Sequence, residues 1–257
     1  MTTATATATA HALTPLTVTP KKPPAMPPNT SRIPSPNALK KGQIKPYPLP
    51  GEDALTLNKV NWPLNASDTV LLVHDMQQFW LDFFIDAAPL LHAVRQLVAA
   101  ARAANIPIVF SRGERPHHPA ERGLGLDMWG AGLAHSAITP EDIAITPTLA
   151  PEPQDFVIDK VRVSAFFETP LAALLQKLGR RQLMVCGVFA HHGVMVSCIE
   201  AFMRNYKVQL VADAVADYSE DDHWMALRYV AQTSGSITLL APALAALQPQ
   251  DVAAVVG

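Results

Sequence analysis

The chain has 257 residues, 49% of them hydrophobic and 16% charged, with a formal net charge of −2 at pH 7. That length supplies apolar material for one substantial core. The absence of a basic surplus argues against nucleic acid as a partner, and no apolar stretch reaches the roughly 18 residues of a membrane span.

The first segment differs in composition from the rest. Eleven of the 23 prolines lie in residues 1–50, and the first acidic residue is Glu52. Runs such as TTATATATA and KKPPAMPPN cannot bury enough apolar surface to offset the entropy of ordering them. Residues 1–36 are therefore expected to form a disordered Pro/Thr/Ala-rich extension, with residues 37–257 as the folded domain. No basic region followed by an apolar block marks a signal peptide. The two cysteines, Cys186 and Cys198, belong to no CxxC or CxxxH pattern and read as reduced thiols, which points to the cytoplasm.

Beyond residue 65, short apolar strands alternate with amphipathic helices. Strands are predicted over Thr69–His74, Pro107–Ser111, Asp155–Asp159, Gln182–Val188, Gln209–Ala212 and Ser236–Leu240, and helices over residues 89–105, 170–179, 194–206 and 221–232. In the first helix Leu90, Val94, Leu97, Val98 and Ala101 recur at helical spacing, and Asn105 ahead of Pro107 is a stop signal. Apolar strands separated by such helices predict an α/β fold of three α/β/α layers: a Rossmann-like, six-stranded, mostly parallel sheet with helices on both faces. Sites in such sheets lie beyond the carboxyl ends of the strands, near the switch point in strand order.

The strand ends carry the chemistry. The first strand, TVLLVH, delivers the chain to Asp75; the third ends around Lys160; the fourth runs into the loop FAHHG. Taken alone, Asp75 could be an N-cap and Lys160 a solvated charge. Their joint placement at one sheet edge makes them candidates for a site. His191 and His192 are adjacent and lack a third ligand at a recognisable spacing, so no metal is expected, and the glycine pattern fits no nucleotide loop. Gly193 is read as opening the following helix, where free amides could hold an anion.

In series, LLVHDMQ, DMWGAG, DKVRVSAFF, CGVFAHHG and VADAVADYSEDDH resemble the isochorismatase family, over roughly three-quarters of the chain. Amide-hydrolysing members of the wider superfamily carry an Asp–Lys–Cys triad, but the cysteine position is Gly193 here, so a covalent nucleophile is missing. The resemblance implies a vinyl-ether hydrolase that needs no metal or organic cofactor. Asp75 would protonate the methylene carbon of an enolpyruvyl group on a small chorismate-derived substrate, and Lys160 would be the second catalytic residue. Lys160 and Arg122 would bind substrate carboxylate, Trp80 and Trp129 would wall the ring pocket, and Phe189, Ala190, His191, His192 and Gly193 would supply loop contacts. Core packing is the alternative for both tryptophans, and Arg162 is assigned to an ion pair. Isochorismate is the expected substrate. The alternatives are 2-amino-2-deoxyisochorismate, with Glu114 as a partner for its amine, or a non-catalytic binding protein with a decayed pocket.

Three departures from the family pattern alter the rim: Gly113 replaces a glutamine, Val163 a tyrosine, and Phe189 the tyrosine of a YAH motif. The resemblance also implies a homodimer. Since the chain ends at Gly257 without room for a fused carrier domain, it implies a separate aryl carrier protein or a product released for phenazine-type or other use.

Overall fold

The opening strand of the sheet, β1 (Thr69–His74), is buried at all six positions in the computed structural model, which describes residues 41–248. The extension predicted over residues 1–36 lies outside the described residues. Each of the four aliphatic side chains Val70–Val73 contributes about 1.5–3 kcal/mol relative to leaving it in water. Burial on both faces requires a helix layer on each side, and the chain supplies both.

Chain order continues through α1 (Gln78–Leu81), α2 (Ala88–Ala103), β2 (Ile108–Gly113), α3 (Gly125–Trp129), α4 (Pro140–Ile143), β3 (Phe156–Lys160) and α5 (Leu171–Leu178). It closes with β4 (Gln182–Val188), α6 (Met195–Met203), β5 (Lys207–Ala216), α7 (Glu220–Thr233), β6 (Ser236–Thr238) and α8 (Leu240–Leu247). The six strands stand in the order β3-β2-β1-β4-β5-β6, and every neighbouring pair is parallel. Leu71 and Val73 face a core shared with Val94 and Leu97 of α2 and Ala243 and Leu247 of α8. Val70 and Leu72 face the opposite core, with Leu171 and Leu175 of α5, Cys198 of α6 and Leu227 of α7. The predicted three-layer α/β architecture is the one observed. No helix among the described residues is long and apolar enough to cross a membrane.

Local signals explain most boundaries. Asn105 adopts a left-handed conformation (φ 54°) just past α2, and Ile106 N–H donates to Ala101 O at 2.8 Å, closing the helix ahead of Pro107. Ser219 caps α7, accepting from the backbone N–H of Asp222. Other boundaries differ from the sequence prediction. Strand β2 runs on to Gly113 because Arg112 and Gly113 stay in register with Asp159 and Lys160 of β3. Strand β5 extends to Ala216 because a register shift between Val185 and Gly187 lets the ladder resume at Val215. Residues 239–240, predicted as strand, instead lead into α8. Its first amide, Leu240 N–H, is capped by Asp213 Oδ1 at 2.7 Å, and Pro242 falls in the first turn, where it is tolerated. That helix is almost wholly apolar and offers no periodicity to read.

One glycine sets how closely β1 and β4 approach. Gly187 pairs with His74 and has φ 110°; a Cβ there would lie 2.1 Å from His74 O. Gly187→Ala is accordingly expected to cost about 3 kcal/mol or more from backbone strain and collision. The check is urea unfolding: the midpoint should fall with an unchanged slope.

Candidate active site

The order β3-β2-β1-β4 places the switch in connection direction between β1 and β4, and carboxyl ends on both sides of it contribute to one cleft of about 460 Å³. Asp75 emerges from β1 with φ 48°, a left-handed conformation that non-glycine residues rarely adopt. Its N–H donates to Ser111 O at 3.1 Å. Its carboxylate accepts from Ser111 Oγ through Oδ1 at 2.7 Å and pairs with Lys160 Nζ through Oδ2 at 2.7 Å. A polar row thus crosses three adjacent strand ends: Asp75 after β1, Ser111 in β2, Lys160 closing β3.

Both charges are buried, Asp75 at 8% exposure and Lys160 at 6%. Burial pushes the Asp75 carboxyl up, but the His74 and Lys160 charges and the hydrogen bonds from Lys160 and Ser111 outweigh it and hold the group below the usual carboxylate range. The ammonium of Lys160 also donates to Arg162 O at 3.1 Å and Val163 O at 3.3 Å. Three acceptors occupy its three protons. Lys160 was expected to bind a substrate carboxylate; in this arrangement its contacts are with Asp75 and two backbone carbonyls.

The free cation is Arg122. Among the described residues its guanidinium has no hydrogen-bond or ion-pair partner, and its Nε is buried. It packs over Gly132, whose added Cβ would meet Arg122 Nη1 at 2.6 Å. Burial and the nearby Arg162 charge pull its guanidinium below the ordinary arginine range. Arg162 also lines the cleft; rather than forming the expected ion pair, it donates to the backbone carbonyl of Glu121.

Trp80, Trp129, Phe189, His192 and Gly193 line the same cleft. Trp80 packs edge-on against Phe189 with centroids 6.0 Å apart, and Trp129 lies 4.8 Å from the His192 ring. Two residues expected at the site stand elsewhere. Ala190 is fully buried in the core beneath α6 and α7, and His191 turns away to pair with Asp217, Nδ1 to Oδ1 at 2.7 Å. His191, Asp217 and Asp222 approach within 4.8 Å of one another, yet Asp217 already accepts from the His191 backbone N–H and ring and from Tyr218 N–H, and Asp222 from Ser219 Oγ.

Gly193 does not open α6. It sits inside a π-helical turn, Ala190–Val194, that precedes it and follows a cis Val188–Phe189 peptide. A Cβ at 193 would lie 2.4 Å from His74 Cε1 and 2.9 Å from Val163 O. The position has no room for a nucleophilic side chain while His74 keeps its place. Cys186 and Cys198 are both fully buried, which pushes their thiols up and away from thiolate character.

Three contributors escaped the sequence reading. Ser111 carried the same signal as Asp75, a polar residue at the end of an apolar strand. Gln77 grips Gly113 at both backbone groups, accepting from its N–H at 2.6 Å and donating to its O at 2.9 Å. A Cβ at 113 would lie 2.7 Å from Leu133 Cδ1, so glycine is the residue this packing admits. Tyr218 stacks on Phe189 at 4.2 Å and lines the cleft, its hydroxyl buried without a partner; nothing in its sequence context separated it from core aromatics.

The sequence matches the isochorismatase domain over residues 69–241. It is 38% identical over 216 residues to enterobactin synthase component B of Escherichia coli (strain K12), covering 82% of this chain and 75% of that protein. It is 40% identical over 196 residues to phenazine biosynthesis protein PhzD of Pseudomonas fluorescens, covering 73% and 90%. The cysteine hydrolase of Pseudomonas syringae pv. phaseolicola 1448A shares the fold, with a TM-score of 0.68 and 23% identity over 78% of this chain and 97% of that one. The domain match takes in all six strands and every strand end that builds the cleft, and the chain belongs to the isochorismatase family.

Proposed function

We propose that this hydrolase cleaves the vinyl ether of isochorismate, giving pyruvate and 2,3-dihydro-2,3-dihydroxybenzoate, with Asp75 as general acid and without a covalent intermediate. The observation that carries the reading is the combination at the cleft floor: a buried carboxyl–ammonium pair beside a position, Gly193, that cannot accommodate a nucleophile. Relatives named isochorismatase and phenazine biosynthesis protein PhzD, at 39% and 40% identity, support the same chemistry.

The proton goes from Asp75 to the terminal methylene carbon. Water captures the resulting oxocarbenium, and the hemiketal collapses to pyruvate and the ring alcohol. In the free enzyme Asp75 is a carboxylate, because Lys160 sits on it. Isochorismate brings two carboxylates into the cleft. Negative charge arriving beside Asp75 disfavours its own charged form, so the acid becomes competent as substrate binds. Arg122, unpaired and at the cleft wall, is the cation assigned to a substrate carboxylate. Trp80 and Trp129 would confine the ring.

The rival substrate, 2-amino-2-deoxyisochorismate, rests on Glu114 as the partner for its amine; Glu114 is exposed where it lines the cleft, which makes it a poorly desolvated partner. A homodimer, a separate aryl carrier protein as recipient of the product and a cytoplasmic location complete the proposal, the last consistent with two free buried cysteines.

Asp75→Asn should lower pyruvate release from isochorismate by about 10²–10⁴-fold, the usual contribution of a general acid. Release that survives the substitution would sink the mechanism. Arg122→Ala should lower kcat/KM about 10–100-fold, mainly through KM, as expected for a lost charge-assisted hydrogen bond. The pH profile has a definite sign. Since kcat/KM reports the free enzyme, whose Asp75 is held deprotonated, it should fall as pH rises through neutrality, while kcat, reporting the complex, stays level to a higher pH. A kcat/KM that climbs over that range would rule out Asp75 as the acid.

A further inference from the structure

The polar side chains of the cleft are nearly all committed to protein partners. Asp75 accepts from Ser111 and Lys160, Trp80 Nε1 donates to Gln77, and His74 Nδ1 donates to Val188 O at 2.8 Å. His192 is different. Neither of its ring nitrogens has a hydrogen-bond partner among the described residues, and Nε2 is buried. Its ring is held in place all the same, 4.8 Å from Trp129 on one side and stacked on His191 at 5.9 Å on the other. An imidazole fixed by packing, with both nitrogens vacant and one side on a substrate cleft, is a recognition group waiting for its ligand, since buried polar atoms are otherwise paired.

Charge narrows what it reads. Burial, and then the neighbouring His191 and Lys160, lower its basicity to a pKa of about 4, so the ring is neutral at physiological pH and offers one donor and one acceptor. The other free side chains on the cleft wall are the cation Arg122, which only donates, the Tyr218 hydroxyl and the exposed Glu114, while Arg162 donates to Glu121 O. His192 is therefore, with the Tyr218 hydroxyl and His74 Nε2, one of the desolvated groups there that can accept a hydrogen bond from a substrate O–H. A neutral acceptor with Lys160, Arg122 and Arg162 around the same cleft favours a hydroxyl over an ammonium, which those cations repel.

We propose that the His192 side chain is a specificity-determining residue that hydrogen-bonds the ring hydroxyl of the bound substrate and selects it over an amine. The assignment rests on the vinyl-ether reading above and extends it from a loop contact to a named side-chain role. The decisive variant is His192→Phe, which keeps a ring against Trp129 and removes both nitrogens; His192→Gln restores a donor and an acceptor.

Pyruvate release from isochorismate should fall at least tenfold in kcat/KM for His192→Phe, with His192→Gln retaining more activity than His192→Phe. The ratio of kcat/KM for isochorismate to that for 2-amino-2-deoxyisochorismate should fall in the same variant. Thermal unfolding of His192→Phe should match or exceed the wild type, because no protein hydrogen bond is lost. A kcat/KM within threefold of wild type overturns the role, and so does a loss accompanied by a Tm several degrees lower, which would make the imidazole structural. If the wild type releases no pyruvate, the vinyl-ether reading fails on its own account. Isochorismate can then be titrated calorimetrically into wild type and variant without turnover: weaker binding by His192→Phe upholds the contact, and equal binding, or none to either, overturns it.

Discussion

The Asp75–Lys160 ion pair is the constraint around which the cleft is arranged. Two charges this deeply buried are expensive to desolvate, and the attraction between them offsets that only when the geometry is good and the remaining hydrogen-bonding capacity is met. Both conditions hold: Lys160 has three acceptors, and Asp75 has Ser111 on its other oxygen. The partners come from β1 and β3, strands that do not touch, and β2 between them contributes the serine that completes the row. Parallel strands in register are what bring three polar termini to one level, so sheet topology is the direct cause of the site's electrostatics.

His74 explains why Asp75 points where it does and why no nucleophile stands opposite. Two glycines close around it: Gly187 makes room for its backbone and Gly193 for its ring. Its Nδ1 is tied to Val188 O, so the residue preceding Asp75 is fixed at both ends, and Asp75 inherits an unusual φ of 48°. In this chain a cysteine at position 193 would need a different residue, or a different rotamer, at position 74.

Much of this was legible in the sequence. Continuous apolar runs such as LLV gave strands buried on both faces, and the helical spacing from Leu90 to Ala101 gave the layer covering one of them. Residues that terminate apolar strands, Asp75 and Lys160, announced the site because a charge there must be paired or used. What stayed hidden was decided by contacts between distant segments. The extension of β5 depends on a register shift in β4, α8 has no polar face to betray it, and Gly113 read as a lost contact because Gln77, which occupies its backbone groups, lies 36 residues away. The orientations of His191 and His192 could not be separated by sequence: one is claimed by Asp217, the other is left to the cleft.

In the proposed mechanism, the charges of the cleft also bear on when Asp75 can act as an acid. The chain as a whole carries −2, yet Lys160, Arg122 and Arg162 all line one cleft, where Lys160 pairs with Asp75. That local excess of positive charge suits an anionic ligand, and its Lys160 member, with His74 and Ser111, holds the Asp75 carboxyl below the usual carboxylate range. An anion entering the cleft would cancel part of the field that holds the proton off, so in the proposed mechanism affinity for a doubly charged substrate and protonation of Asp75 draw on one interaction. A neutral ligand of the same shape would bind without relieving that field, and Asp75 would remain a carboxylate beside it. In the proposed mechanism, selection for a charged enolpyruvyl substrate would thus follow from how Asp75 gains its proton, before any contact with the ring is considered.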